Sequence, residues 1–343
     1  MEGTSDVRIG ILGAARIAPM ALIRPSRKVE GARVVAVAAR DAERASAFAR
    51  KHEIPRVHPS YEALIADPEI DAIYNPLPNG LHGEWTIRAL RLGKHVLCEK
   101  PMASNAAEAE RMADVADETG RFLVEAFHWR YHPLAARMKE IVDGGSLGRV
   151  EHIEAHLCVP LIRPGDIRFC FELAGGATMD VGCYAISVVR SLAGAEPTVT
   201  SAEARLSSPQ VDRYMNADFR FSDGRTGRIT CSLFSSVLVR ASARVRGDAG
   251  EMAVLNPIAP HLYHRLKLRG PYGTGRERIA GKATYTHQLE AFVKLLRDGT
   301  AMVTDARDAI ANMRVIDAIY QKAGLPLRPV TTPDPSVHST SQG

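Results

Sequence analysis

A lysine at the end of a buried strand is the first residue of this chain that could do chemistry. Lys100 follows the apolar strand His95–Cys98 and Glu99, and Pro101 comes directly after it. An ammonium group in such a place is costly to desolvate unless an anion or a reacting group meets it. The alternative is a strand-end charge that reaches water, and Lys100 alone does not decide between the two.

A carboxylate and a phenol four residues apart, Asp180 and Tyr184, form the second candidate group. On a helix this spacing places both side chains on one face. If that face is directed at Lys100, we expect the ammonium to lower the pKa of Tyr184 from its ordinary value of about 10. The phenol could then exchange a proton with a substrate. The alternative is a tyrosine packed in the helix core with its hydroxyl bonded to Asp180.

The elements before Lys100 are typical of a dinucleotide-binding fold. The apolar strand Val7–Leu12 runs into Gly13–Ala18, where a helix begins, and a second strand and helix follow. Gly13 stands at the tight turn of the glycine fingerprint, whereas Ala15 and Ala18 replace its second and third glycines. The fingerprint is incomplete, but alanine is the smallest replacement and is compatible with a bound pyrophosphate.

The end of the second strand favours NADP over NAD. NAD-binding folds place an acid there for the ribose 2′-hydroxyl, and NADP-binding folds place an arginine near the 2′-phosphate. The strand Arg33–Ala39 is followed by Arg40 and Asp41, and Arg44 comes one turn into the next helix. The alternative is that both arginines are surface charges and that Asp41 caps the helix.

The signature Glu99-Lys100-Pro101, the turn Gly13–Ala18 and the loop Pro78–His82 together resemble the glucose-fructose oxidoreductase, inositol dehydrogenase and rhizopine-catabolism (Gfo/Idh/MocA) family. The stretch Ala38–Asp41 and Tyr184 look most similar to its NADP-linked members, which include dimeric dihydrodiol dehydrogenase and D-xylose dehydrogenases. The resemblance covers nearly the whole chain.

The resemblance implies an NAD(P)-dependent oxidoreductase that transfers a hydride between nicotinamide and a CH–OH or C=O group of a sugar, polyol or vicinal diol. Its catalytic residues would be Lys100, Tyr184 and Asp180. The alternative is a catalytically silent, NADP-sensing regulator of the same fold. The presence of all three residues argues for an enzyme, because such regulators typically lose the signature lysine.

The resemblance and the loop positions also predict the residues that bind the ligands. The predicted cofactor contacts are Gly13, Ala15, Arg16, Ile17, Ala39, Arg40, Arg44, Pro78, Asn79, His82, Glu99, Lys100, Arg168 and Tyr285. Trp129 and Arg130, together with Asp180 and Tyr184, are the predicted substrate contacts.

The pattern changes after residue 128 from alternating strands and helices to a run of strands. We expect a doubly wound parallel Rossmann domain over residues 1–128 and an α+β domain with a large, mostly antiparallel open sheet over 129–330. A final helix at 304–323 would return to the first domain, and residues 331–343 would be a disordered tail. An uncovered apolar face of the second sheet would join copies of the chain into a homodimer or homotetramer.

Composition argues against several other classes of protein. The net charge of +5 over 343 residues comes from arginines interspersed with acids, which is not the basic patch of a nucleic-acid-binding protein. Five cysteines without CxxC spacing and twelve histidines without HxH or HExxH spacing predict neither disulfides nor a metal site. A reducing cytoplasm fits this cysteine use, and the absence of a run of about 18 apolar residues argues against a membrane span.

Overall fold

The computed structural model describes residues 6–161, 165–270 and 273–330. Over these residues the strands form two sheets, one of six strands and one of eight. The prediction of a Rossmann domain followed by a mostly antiparallel open sheet is confirmed. The predicted tail at 331–343 lies outside the described residues.

The first sheet is parallel throughout and has the strand order β3-β2-β1-β4-β5-β6. Its strands are β1 Val7–Leu12, β2 Ala32–Ala38, β3 Arg56–His58, β4 Ala72–Asn75, β5 His95–Cys98 and β6 Leu123–Glu125. This is the order of a dinucleotide-binding fold, in which ligands bind outside the carboxyl ends of the strands. The turn after β1, the loop after β4 and the Glu99-Lys100 pair after β5 therefore meet at one edge.

Helices cover both faces of this sheet. They are α1 Arg24–Ser26, which continues a π-helical turn at Pro19–Ile23, then α2 Ala42–His52, α3 Tyr61–Ala66, α4 His82–Arg91 and α5 Ala106–Thr119. Because the sheet is covered on both sides, its central strands are apolar along most of their length.

The second sheet has the order β14-β13-β12-β11-β7-β10-β9-β8, with β7 and β10 parallel and the other pairs antiparallel. Its strands are β7 Val150–Cys158, β8 Thr198–Ser208, β9 Val211–Arg220, β10 Thr226–Ser232, β11 Arg240–Gly247, β12 Glu251–Leu255, β13 Arg265–Gly270 and β14 Gly273–Glu277. The helices of this half are α6 Pro133–Asp143, α7 Cys183–Ala193, α8 Thr284–Asp298 and α9 Ala306–Lys322.

The two faces of this sheet differ in character. The inner face packs apolar residues such as Ile153 and Ala155 in the core with Ile186 of α7. The outer face carries charged pairs instead, including Arg228 with Asp218. The expectation of an apolar outer face is therefore not met, because the outward positions of these strands are largely polar.

Both C-terminal helices return to the first sheet. In α9, the Asp317 carboxylate accepts a hydrogen bond from the Ala106 backbone at the start of α5. In α8, Phe292 lies in one apolar cluster with Ile9 and Ile11 of β1. We propose that α8, like the predicted return at 304–323, belongs structurally with the first domain.

Among the described residues, no helix combines the length and apolar character needed to cross a lipid bilayer.

Candidate active site

Lys100 lies at the carboxyl end of β5 with its ammonium turned towards the second half of the chain. Its Nζ is 2.9 Å from the backbone oxygen of Asp180 and 3.4 Å from Oδ1 of the same residue. Burial opposes the charge, but the neighbouring acids, above all Asp180, outweigh it and raise the pKa of Lys100. The adjacent Glu99 is buried and accepts a hydrogen bond of 2.7 Å from the Tyr74 hydroxyl. Lys100 is thus an ammonium held in a fixed place.

Asp180 bridges two cations. Its second carboxylate oxygen lies 2.9 Å from Nε of Arg168, and Arg168 also contacts Asp166 at 3.1 Å. Burial works against ionisation, but Lys100 and Arg168 lower the pKa of Asp180 below its ordinary value. Arg16, from the first half, comes within 3.9 Å of Asp166. The carboxylate is therefore ionised, and its contacts tie the two halves together.

The Tyr184 ring faces the Lys100 ammonium, with Nζ 5.0 Å from the centre of the ring. The hydroxyl oxygen is 3.0 Å from Nε2 of His128, and Tyr285 lies nearby. The alternative of a hydroxyl bonded to Asp180 is not what the structure shows, because a π-helical turn at Thr178–Gly182 replaces the predicted α-helix and separates the two side chains.

The expected lowering of the Tyr184 pKa by Lys100 is wrong. Burial raises this pKa well above its ordinary value, and Tyr285 and nearby acids add to the effect. The ammonium faces the centre of the ring and not the oxygen, so it does little for a phenolate. Tyr184 is a buried, protonated phenol with a cation on its ring face.

His128 is a member of the site that sequence reasoning missed. It begins a short 3₁₀ turn, His128–Tyr131, that directs its ring towards Tyr184. The neighbouring Trp129, predicted to contact substrate, is 1% exposed and packs in the core. Arg130 pairs with Asp308 at 3.5 Å. The substrate contacts at Trp129 and Arg130 therefore stay predictions, and in this structure the two side chains contact the protein's own core and Asp308. The signal in the sequence that could have identified His128 is its position just after β6, the last parallel strand.

The segment after β4 is hydrogen-bonded to the turn that follows Lys100. His82 is buried, with Nδ1 2.9 Å from the Pro101 carbonyl and Nε2 2.8 Å from the Leu77 carbonyl. Burial lowers its pKa to about 4, so the ring is neutral. Both nitrogens face the protein's own backbone, so we reassign His82 from cofactor contact to support of the turn. Asn79 donates to the Ala174 carbonyl and links the loop to the second half.

The turn after β1 meets the requirements of a pyrophosphate cradle at its first position. Gly13 has φ +84°, and a Cβ there would lie 3.1 Å from Leu77 Cδ2, so a side chain would be strained and crowded. Its backbone N–H donates to the Ala38 carbonyl of β2 at 2.7 Å. The other predicted cofactor contacts at this edge follow the carboxyl ends of β1, β2, β4 and β5: Ala15, Arg16, Ile17, Ala39, Pro78 and Glu99.

The end of β2 presents two guanidinium groups and an acid that caps the next helix. Arg40 and Arg44 are exposed, and Arg44 donates to the Ala14 carbonyl at 3.0 Å. The Asp41 carboxylate accepts the backbone N–H of Arg44 at 2.8 Å and caps α2.

A cavity of about 290 Å³ lies beside the Lys100 and Asp180 pair. Its walls combine charged and apolar residues: Arg16, Val159, Pro160, Leu161, Asp166, Arg168, Asp180 and Leu233. Within the described part of the chain, no group of three or more His, Cys, Asp or Glu residues could hold a metal ion.

Comparison with known proteins agrees with this geometry. The chain matches the model of the oxidoreductase family with an NAD-binding Rossmann fold (GFO/IDH/MocA) over residues 7–127. It also matches the model of the GFO/IDH/MocA C-terminal domain over residues 135–253.

Individual relatives match over almost their full length. The NADP⁺-dependent D-xylose 1-dehydrogenase 2 of Haloferax volcanii is 35% identical, over 92% of this chain and 96% of that protein. A dTDP-3,4-didehydro-2,6-dideoxy-α-D-glucose 3-reductase of Streptomyces violaceoruber is 31% identical, over 94% and 97%. A crystal structure of a 3-ketoreductase from Actinomadura kijaniata, in complex with NADP and TDP-benzene, superposes with a TM-score of 0.86 at 27% identity, over 93% of this chain and 98% of that one.

Proposed function

Because the chain belongs to the GFO/IDH/MocA family of NAD(P)-dependent oxidoreductases, we propose that it is an NADP-linked dehydrogenase or reductase acting on a CH–OH or C=O group of a sugar, polyol or related diol. The observation that carries the proposal is that Lys100 contacts both Asp180 and the Tyr184 ring at one buried place, next to the cavity lined by Asp180. A catalytically silent regulator would not need an ammonium, an ionised carboxylate and a protonated phenol together.

The residues of the pocket divide the acid–base work. When bound, the nicotinamide cofactor supplies or accepts the hydride. Tyr184, a protonated phenol, donates its proton to a carbonyl oxygen during reduction and receives one during oxidation. Lys100 attracts the same substrate oxygen by its charge. Asp180, held by Arg168, fixes the direction of the Lys100 ammonium.

The preference for NADP is supported by the end of β2. Asp41 uses Oδ1 of its carboxylate to cap α2, which engages one of the two oxygens that a ribose 2′-hydroxyl could bond. Arg40 and Arg44 supply positive charge at the same place. The D-xylose dehydrogenase relative is itself named as NADP⁺-dependent.

The preference is tested by Arg40→Ala. We expect the Kd for NADP to rise by about tenfold with little change for NAD, because one charge-assisted contact to a phosphate is lost. Arg33→Ala, at the exposed opposite end of β2, is the matched control. Equal effects on both cofactors would reject the assignment of the 2′-phosphate to Arg40.

The cavity favours a small, polar substrate. Its volume of about 290 Å³ lies at the lower end of the usual range for ligand sites, roughly 300–1,000 Å³. Acidic and basic side chains in its wall offer hydrogen bonds to hydroxyl groups. A free monosaccharide or polyol fits these features better than a nucleotide sugar.

The activity is tested by following reduced nicotinamide absorbance with NADP⁺ or NAD⁺. The first substrate is D-xylose, followed by other aldoses, inositols, polyols and vicinal diols. We expect turnover with NADP⁺ on at least one small polyhydroxylated compound. Cofactor binding by thermal shift, with no hydride transfer across the panel in either direction, would instead favour the regulatory alternative.

We also propose a cytoplasmic homodimer or homotetramer that uses the outer face of the second sheet. The outer face itself is largely polar, and support comes from exposed apolar residues in the loops before two of its strands, Leu238 and Val239 before β11 and Leu262 before β13. Light scattering after size exclusion tests the oligomer, and Val239→Asp is expected to shift it towards monomer. A wild-type chain that runs as a monomer at micromolar concentration would reject it.

A further inference from the structure

Four side chains form a row of hydrogen-bonding groups that begins at Tyr184. The Tyr184 hydroxyl is 3.0 Å from Nε2 of His128, and Nδ1 of His128 is 2.8 Å from Oγ1 of Thr284. Oγ1 of Thr284 is in turn 3.5 Å from Nδ1 of His261. His128 and Thr284 are buried, whereas His261 is partly exposed. The row therefore runs from the pocket to the surface, on the side where α8 begins.

We propose that this row is a proton relay that connects the phenol of Tyr184 with solvent at His261. The inference deepens the proposed function and rests on it, since only a reaction that moves a proton at Tyr184 needs such a path. It assigns to His128, Thr284 and His261 a role in proton delivery, in which none of the three touches the substrate.

The middle of the row has two arrangements of its protons. In one, His128 donates through Nε2 to the Tyr184 oxygen, and the Thr284 hydroxyl donates to Nδ1. In the other, Tyr184 donates to Nε2, and Nδ1 donates to Thr284. The two arrangements differ at Tyr184: in the second its proton is bonded to Nε2, and in the first it is available to a substrate oxygen.

His128 works in this scheme as a neutral ring. Burial lowers its pKa to about 3, and the charges of Lys100 and His261 act in the same direction. A stored imidazolium is therefore disfavoured, and a proton enters one nitrogen as another leaves the opposite nitrogen. Tyr285 also lies near the Tyr184 hydroxyl, but it is itself buried, so the path to solvent runs through His128.

The proton steps balance in each direction. In a reduction, hydride from the dihydronicotinamide forms the new C–H bond as the C=O π bond breaks, and the substrate oxygen takes the Tyr184 proton. Tyr184 then takes the Nε2 proton of His128, Nδ1 of His128 takes the hydroxyl proton of Thr284, and Thr284 takes a proton from Nδ1 of His261 as Nε2 of His261 takes one from solvent. This step needs the His261 tautomer that carries a proton on Nδ1, in which Nδ1 no longer accepts from the Thr284 backbone N–H 3.4 Å away. One solvent proton is consumed for each hydride transferred, and oxidation runs the same sequence backwards.

The relay matters most for oxidation. Tyr184 is protonated at rest, so it receives a proton from a substrate alcohol only by releasing its own. His128 is the neighbour positioned to take that proton. In reduction, by contrast, the first proton is already on Tyr184, and the relay only restores it afterwards.

A measurement on the substrate-free protein tests the path directly. With ¹⁵N-histidine labelling, exchange of the His128 ring proton with water is followed in the wild type, Thr284→Val and Thr284→Ser. Valine keeps the shape and removes the hydroxyl, and serine restores it. We expect Thr284→Val to slow exchange by about tenfold or more, the change produced by a barrier higher by one lost hydrogen bond, and Thr284→Ser to match the wild type.

His132 is an internal control in the same spectra. Its ring is buried, its Nδ1 accepts from the Leu134 backbone, and its Nε2 is without a hydrogen-bond partner among the described residues. It lies outside the row, so Thr284→Val should leave its exchange unchanged. His261→Phe, at a partly exposed position, should slow His128 alone and serves if Thr284→Val folds poorly.

Exchange of His128 that is equally fast in all four proteins would overturn the relay. Because this readout needs no substrate, it is independent of the proposed function, whose own failure would appear as absent hydride transfer in the wild type. In an active enzyme, Thr284→Val should lower the steady-state rate of oxidation more than the first turnover of reduction. Equal effects on the two would also reject the relay.

Discussion

The Lys100 ammonium is held in one position, because the backbone oxygen and the carboxylate of Asp180 both accept hydrogen bonds from it. The cost of burying it is met by these neighbours, which raise its pKa. A group so fixed can act on a substrate oxygen without reorganising during the reaction. The same contacts mean that Asp180 loses one of its two cationic partners when Lys100 is replaced.

We predict that Lys100→Met lowers kcat by roughly 10²–10⁴-fold while NADP still binds, because methionine keeps the volume and removes the charge. Steady-state rates and the thermal shift with NADP measure the two effects. Lys139→Met, which removes an exposed ammonium on α6, is the matched control. Near-normal turnover in Lys100→Met would exclude Lys100 from the chemistry.

Tyr184 leads to a prediction about pH. Its pKa is raised by burial, so the protonated form that donates during reduction is present throughout the neutral range and is lost only at higher pH. We therefore expect kcat/KM for reduction to stay level between about pH 7 and 9, where a phenol with its pKa lowered by a cation would lose its proton. Tyr184→Phe should abolish most turnover at every pH. A fall with a midpoint inside that range would contradict the assignment.

At the scale of elements, a buried ion pair fixes the π-helical turn that carries Asp180. Arg328 and Asp212 meet at 2.8 Å, and both side chains are fully buried. The other oxygen of Asp212 accepts from the backbone and hydroxyl of Thr178, and Arg328 donates to the Gly175 carbonyl. The first turn of the Asp180 segment is thus attached to β9 and to the chain beyond α9.

We predict that Arg328→Met lowers the free energy of unfolding by about 3–5 kcal/mol, because it leaves the Asp212 carboxylate buried without its counter-ion. Adding Asp212→Asn should recover part of the loss, since no charge then remains uncompensated. Urea unfolding of the two single variants and the double variant completes the cycle. Additive losses would show that the two side chains do not act as a pair.

Sequence reasoning located most elements because their patterns are local. The apolar run of β1 and the Asp41 cap of α2 can be read directly from the chain. The edge strand β14 was missed because Gly273–Glu277 contains no apolar residue, and its neighbour β13 was missed although Leu266 and Leu268 alternate with charged residues. The π-helical turn before α7 was also missed, since the hydrogen bonds that fix it come from residues distant in sequence, such as Asp212.

Sequence reasoning predicted the site residues whose position follows from a strand end, as for Lys100, or from helical spacing, as for Asp180 and Tyr184. Lys100, Asp180 and Tyr184 do meet, but the direction of the Tyr184 pKa shift depends on burial and on the partners of its hydroxyl. Sequence spacing reveals neither of these. The omission of His128 has the same origin, because one residue of register in a 3₁₀ turn decides which side chain faces Tyr184.

For the whole molecule, one apolar cluster runs through both sheets. Val96 of the first sheet and Ile153 of the second belong to the same continuous core. Polar contacts reinforce it, as where the Arg190 guanidinium of α7 bonds Asn312 of α9. We therefore predict that the two halves unfold together although the chain exceeds the usual size of a single cooperative unit.

Two probes test this cooperativity. The tryptophans, Trp85 and Trp129, report on the first half and its end, and far-ultraviolet circular dichroism reports on both sheets. Their denaturation curves should coincide, and NADP at about 100 times its Kd should stabilise both by about 2.7 kcal/mol. Two separate transitions, with NADP shifting only the tryptophan signal, would contradict a shared core.

The return of α8 to β1 has a consequence for engineering. A chimera made by joining residues before 129 from this chain to the remainder of a relative would pair Ile9 and Ile11 with a foreign helix in place of Phe292. A better exchange would transplant the middle of the chain alone, from the turn at His128 to just before Thr284, and keep the recipient's last two helices. Such an exchange would transfer the substrate specificity of the donor protein, whereas the cofactor affinity would remain that of the recipient.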